Sequence, residues 1–279
     1  MSERRVMVAV SEWLGPCLGR RGRARLRPGR GRDKARPSLG AHAIWKAALG
    51  AAVALSCAAS GQDAVEWARR VSLAGTGGLS AADASGERAA ANEAMNELRR
   101  VAAEGDGVPE TFRAVALDEG RDGGVREYAV QHLGAWGRSG RERAKAEAML
   151  WELAEDPVAG TAAVLQLHHA GGPSLKGRLA WTELLERRMA RPDLRDAEKA
   201  TLLAVAAESG VREALPRAKE WAADAGSVVL LRCALQAVGQ LGGLGDVAFL
   251  DALAEEKELG GARGTWENAR RRLTEGTDP

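Results

Sequence analysis

Two stretches decide the fold: DGGVREYAVQHLG at Asp122–Gly134 and CALQAVGQLGGLGD at Cys233–Asp246. In each, small or branched apolar residues return every three or four positions, the spacing of one buried helix face. A Leu-Gly or Val-Gly step closes the run, and a glycine-containing turn follows. Working outward from these stretches gives a comb with a period of 35 residues. Leu98, Leu133, Leu203 and Val238 fall on it, with His168 the one polar member, next to Leu167. Four positions earlier the comb reads Ala94, Ala129, Val164, Lys199 and Ala234. A second helix per unit carries the same period, since Gly210, Leu215 and Ala218 recur as Gly245, Leu250 and Leu253. A fixed period in this range predicts stacked helical hairpins, because no single hairpin can bury its own apolar face.

Composition points the same way. The 279 residues include one isoleucine (Ile44), one tyrosine (Tyr128) and two phenylalanines (Phe112, Phe249), and about a fifth of the chain is alanine. A sheet protein is excluded on that count, and helix propensity favours an all-α chain. Helical segments are predicted at 125–136, 144–154, 158–167, 175–189, 200–207, 211–223, 228–241 and 247–254. A longer one opens at Ser80 with a capping-box pattern and runs to about Ala103. The breaks between them hold Gly, Pro, Asp and Ser, as helix ends require.

The quoted stretches resemble the short bacterial HEAT-repeat family, armadillo-like helical repeats also found in phycobilisome lyase subunits. The shared features are Asp122 before the helix, Val125-Arg126, Ala129 four residues before Leu133-Gly134, and the counterparts Ala234, Val238-Gly239 and Gly242–Asp246. The match is partial over residues 158–189 and 196–223 and weak before about residue 90, and Arg232 stands one position out of register with Arg126. The resemblance implies an α-solenoid of about five hairpins over residues 80–279. A cap helix is expected within 62–79 and another at Thr265–Leu273.

The net charge of +2 hides an uneven distribution. Residues 1–37 carry eleven basic groups against three acidic ones, a net of +8, and residues 62–279 carry −7. Behind this Arg-rich lead, which also reads as a mis-assigned start, the run AALGAAVALSCAA at Ala47–Ala59 follows Lys46 and precedes small residues. That order is a secretory signal over residues 38–61, too short to span a bilayer. Cleavage after Gly61 leaves Gln62 as the mature start, with Ala58 and Ala59 as alternative sites. Ala54-Leu55-Ser56-Cys57 has the form of a lipoprotein box, which makes Cys57 a candidate lipidation site. Arg20-Arg21 lies too far ahead of the apolar run for a twin-arginine signal. Cys233 is the single cysteine after the signal, so no internal disulfide is expected.

Candidate chemistry is sparse. His132, His168 and His169 are the histidines after the signal, and His132 and His168 lie 36 residues apart, so stacked units would bring them onto neighbouring helices. They are the candidate metal ligands, but no acidic partner has a fixed spacing to them, and a flanking, partly exposed pair is expected. The glycine-rich stretches Gly75–Gly78 and Gly171–Lys176 lack the ending of a phosphate loop. Ser139 lacks the spacing of a nucleophile elbow. No cofactor, metal or catalytic residue is assigned. Trp67, Trp136, Trp151, Trp181, Trp221 and Trp266 are expected to fill the core of an alanine-rich stack, with Trp181 and Trp221 as binding anchors if exposed. The clusters at 186–188 and 270–272 are expected to be solvated helix faces.

The expectation is a non-enzymatic scaffold or adaptor of the periplasm or cell envelope, binding a protein or peptide on the concave face formed by the second helices. No nucleic-acid partner is expected for the acidic mature part, and no transmembrane span once the signal is removed. The alternatives are an enzyme or enzyme subunit of the phycobilin-lyase type, implied by the repeat resemblance alone, and a cytosolic nucleic-acid-associated protein using residues 1–37.

Overall fold

The computed structural model describes residues 81–276, which hold twelve α-helices, three short 3-10 turns and no strand. The Arg-rich lead, the expected export signal with Cys57 and Gly61, and the expected cap helix with Trp67 lie outside the described residues. The helices are α1 (Ala81–Val101), α2 (Val108–Leu117), α3 (Gly123–Arg138), α4 (Arg143–Leu153), α5 (Gly160–Ala170), α6 (Pro173–Lys176), α7 (Arg178–Met189), α8 (Asp196–Glu208), α9 (Leu215–Ala223), α10 (Val228–Leu241), α11 (Val247–Glu256) and α12 (Arg263–Glu275). Among the described residues no helix is long and apolar enough to cross a membrane.

Local sequence accounts for the ends. Asp122 caps α3 by accepting the Gly124 N–H at 2.8 Å, and the Ser227 hydroxyl accepts the Leu230 N–H at 3.3 Å at the start of α10. The predicted segment 175–189 is two helices, because Gly177 stands between α6 and α7 at φ +88°, a backbone conformation outside the right-handed helix. Helix α2 lies outside the segments predicted from the sequence. It is ten residues long with Pro109 near its start, a position where the missing N–H costs nothing.

Helices α1, α3, α5, α8, α10 and α12 each pack on the next in that order, while α2 packs on α3 and α4, and α9 on α10. Leu98, Leu133, Leu203 and Val238 are all fully buried along the first series, and the same comb reaches Ala269 and Leu273 on α12. His168 breaks the comb through a shift of register. The step from α3 to α5 is 34 residues, so Leu167, fully buried, takes the core position. The step from α5 to α8 is 36, which brings Leu203 back onto the comb.

The glycine of the Leu-Gly and Val-Gly steps has a packing role. A methyl group at Gly239 would lie 2.7 Å from the Ala269 Cα, so α10 and α12 meet there backbone against backbone. Gly134 makes the corresponding close approach to the buried Gln166 on α5.

Beneath the apolar seam runs a chain of buried polar contacts. Arg126, on α3, donates its Nε–H to the Ala116 carbonyl at 2.7 Å and its Nη2 to both carboxylate oxygens of Asp156, at 2.8 and 2.7 Å. Asp156 Oδ1 also accepts the Val158 and Ala159 N–H groups, at 2.9 and 2.7 Å. Arg188, on α7, donates to the carbonyls of Asp156 and Pro157 at 2.7 and 2.9 Å. Its Nη2 lies 3.6 Å from Glu198 Oε1, which also accepts the Thr161 hydroxyl at 3.3 Å. Arg188 is only 3% exposed, which corrects the expectation that residues 186–188 form a solvated face. Burial lowers its pKa, with Arg191 adding to the effect, yet a guanidinium stays charged at any physiological pH.

Other cations finish helix ends, where the last carbonyls have no partner within the helix. Lys257 Nζ donates to the carbonyls of Ala222, Ala223 and Ala225 at 3.3, 2.9 and 2.9 Å, beyond α9. Arg141 does the same for Arg99 and Ala102 at the end of α1, at 3.1 and 3.3 Å.

Two stability predictions follow from this packing. Gly239→Ala gains roughly 1 kcal/mol of helix propensity but overpacks a backbone contact at about 1–3 kcal/mol, so the melting temperature falls. Gly264→Ala on α12 has open space around it and raises the melting temperature. Opposite signs in thermal unfolding check the close approach; equal signs refute it. Arg126→Met strips Asp156 of its counter-charge and Ala116 of a donor, with an expected loss of about 3–5 kcal/mol in urea unfolding. Arg126→Met combined with Asp156→Asn is expected to recover part of that loss.

Candidate functional site

The three candidate histidines do not converge. His132 is 6% exposed, stacks on Phe112 with ring centroids 5.6 Å apart, and pairs its Nε2 with Asn92 Oδ1 of α1 at 2.8 Å. His168 is half-buried, its Nε2 lying 2.9 Å from Glu208 Oε2 of α8. The two rings are engaged by helices on opposite sides of the α3/α5 pair. The 34-residue step explains this, for the counterpart of His132 on α5 is Gln166, and His168 stands where α3 has Gly134. His169 lies beside His168, with centroids 6.0 Å apart. Burial lowers the His169 pKa to about 4, helped by Arg138 and His168. Among the described residues no group of three His, Cys, Asp or Glu side chains is placed to hold a metal ion.

His168 nevertheless stands between a hydroxyl and a carboxylate. Its Nδ1 is 3.3 Å from Ser209 Oγ while its Nε2 faces Glu208. This is the order of a hydrolase relay, and no sequence spacing signals it, because Glu208 and Ser209 are adjacent in the chain and His168 is a unit away. An acyl-transfer site also needs donors aimed at the developing oxyanion, which backbone N–H groups beside the nucleophile often supply. The N–H groups of Ser209, Gly210 and Val211 instead donate to Val205, Ala207 and Ala206 at 3.0, 3.1 and 2.9 Å. These contacts tie the end of α5 to the end of α8.

The tryptophans serve packing. Trp136, Trp181 and Trp221 are buried, and Trp151 and Trp266 are half-buried against the same core. The condition for Trp181 and Trp221 to act as binding anchors is not met. Trp181 instead packs edge-on against Trp151 and stacks near His168, while Lys199 lies over the Trp221 ring. Burial pushes the Cys233 thiol up to about 11, which leaves it protonated and unreactive at neutral pH.

A groove of about 380 Å³ opens between α7 and α9. Its floor is apolar, made of Leu185, Met189, Val211 and Ala214, with Pro216 at one wall. Its charged lining is Glu186, Glu213 and Glu220 against the single cation Arg217, which is already paired with Glu220 at 2.5 Å. Sequence reading missed this site. Glu186, Glu213 and Glu220 lie on three separate segments, and only the register between units shows that they share a rim.

No protein family, no curated protein and no solved structure matches this chain.

The buried histidine generates a pH prediction. Burial, with Arg99 contributing, lowers the His132 pKa from 6.5 to about 4. The unfolded chain therefore binds an extra proton between those values. The stabilisation from keeping this ring neutral is complete above about pH 6.5 and is lost as the pH falls towards 4. Over that window the wild type is expected to lose roughly 3 kcal/mol more than a His132→Gln variant. Denaturant unfolding at pH 7, 5.5 and 4 checks this, and parallel profiles for the two proteins refute it.

Proposed function

We propose that the twelve helices form an α-solenoid of HEAT-like hairpins and that the protein is a non-enzymatic scaffold or adaptor of the periplasm or cell envelope. It binds a protein or peptide along the row of second helices, α2, α4, α7, α9 and α11. The observation that carries this reading is the groove between α7 and α9, which lies on that row and has an apolar floor and a charged rim. The serial packing of α1, α3, α5, α8, α10 and α12 supports the solenoid, since each helix touches its successor. The compartment rests on the basic, apolar, small-residue order of residues 38–61.

The test has two parts. Sequencing the N-terminus of the native protein is expected to give a start near Gln62, or a lipidated Cys57, in the envelope fraction, and a Met1 start in the cytosol removes the compartment from the proposal. Affinity capture from envelope extracts is expected to recover one stoichiometric protein partner. Recovery of a tightly bound tetrapyrrole and no protein overturns the scaffold in favour of a lyase-type role.

A further inference from the structure

Cross-links between successive second helices are the rule in this fold, and the groove is the exception. Arg113 and Lys145 join α2 to α4 through Glu152 and Glu110. Arg187 on α7 reaches back to Glu155, just beyond α4, at 2.9 Å. Lys219 on α9 reaches Asp246, at the start of α11. Between α7 and α9 no ion pair crosses among the described residues. The acidic groups that line the groove are the carboxylates of Glu186 and Glu213, neither with a partner among the described residues, and Glu220, held by its neighbour Arg217.

We propose that this groove receives a cationic peptide segment of the partner protein, an arginine or lysine with an apolar neighbour. The inference rests on the scaffold reading and names the chemistry of its ligand. A long basic side chain lays its methylene stem on Leu185, Met189 and Val211 and places its head between Glu186 and Glu213, supplying the cross-link that the α7/α9 interface lacks. An acidic segment meets three carboxylates, and a purely apolar one covers them without a counter-charge, so both are rejected. The small volume fits one or two side chains of an extended segment. Arg212, beside Glu213 in the chain, and Arg187, beside Glu186, do not line the groove.

The experiment titrates the full protein into two fluorescein-labelled decapeptides, one with an Arg-Leu-Arg core and one with a Glu-Leu-Glu core, followed by anisotropy. The basic peptide is expected to bind and the acidic one not. Glu186→Lys with Glu213→Lys is expected to weaken the basic peptide about tenfold or more and leave the melting temperature unchanged, because both side chains are exposed. Raising the salt is expected to weaken the wild-type complex several-fold. Equal binding by the wild type and the double variant overturns the groove assignment, as does binding of both peptides alike. If no peptide binds, but the wild type and the double variant capture the same envelope protein, the groove proposal fails and the scaffold survives. If the wild type captures nothing either, both fail.

Discussion

The Arg126–Asp156 pair is the constraint around which the middle of the fold is organised. A guanidinium and a carboxylate, with side chains 6% and 12% exposed, have left water, and the cost of that is several kcal/mol for each ion. It is offset only because both are fully occupied. Arg126 reaches a carbonyl at the end of α2 and both oxygens of Asp156, and Asp156 also holds two amides at the start of α5. Sliding α3 against α5 by one turn would leave two ions and a carbonyl stranded, whereas the apolar seam alone tolerates such a slip, since Leu, Val and Ala exchange places at small cost. The pair thus fixes register where the hydrophobic surface fixes only adjacency. Arg188 and Glu198 continue the arrangement into α7 and α8, with Arg195 linking Glu198 to Glu127 of α3 at 2.8 and 2.9 Å.

What the sequence made legible follows from this division. Helical character, the 35-residue comb and the boundaries of α10 depend on local propensity and on a face of apolar residues that repeats along the chain, and all three can be read from one strand of letters. The two Gly steps were visible as a pattern, although their reason, the approach of α10 to α12 and of α3 to α5, exists only between units. Arg188 looked like one of a run of surface charges because its partners are mainly backbone carbonyls, which every residue has and no composition records. The 34- and 36-residue steps cancel over two units, so a comb of 35 survives while His168 falls off the core.

The same distinction separates the candidate site from the frame. Histidines and tryptophans attract attention in a sequence for their chemistry, yet here they are spent on packing: His132 against Phe112 and Asn92, Trp181 against Trp151. The groove is made of ordinary glutamates and aliphatic residues whose meaning comes from their being opposite each other.

Among the described residues no ion pair joins α7 to α9. An exposed pair contributes about 0–1 kcal/mol, so forgoing the cross-links between α7 and α9 costs little. Helix α7 does not depend on them, because Leu184, Leu185 and Trp181 are buried in the core and Arg188 is bonded to the carbonyls before α5. One helix thus turns Arg188 inward, where losing a partner is expensive, and Glu186 outward, where an unpaired carboxylate is cheap in water and becomes costly only when covered. The buried cation and the exposed carboxylate stand two positions apart, on different faces of the same helix. A change at Glu186 therefore alters the charge of the groove without touching what holds α7 in place.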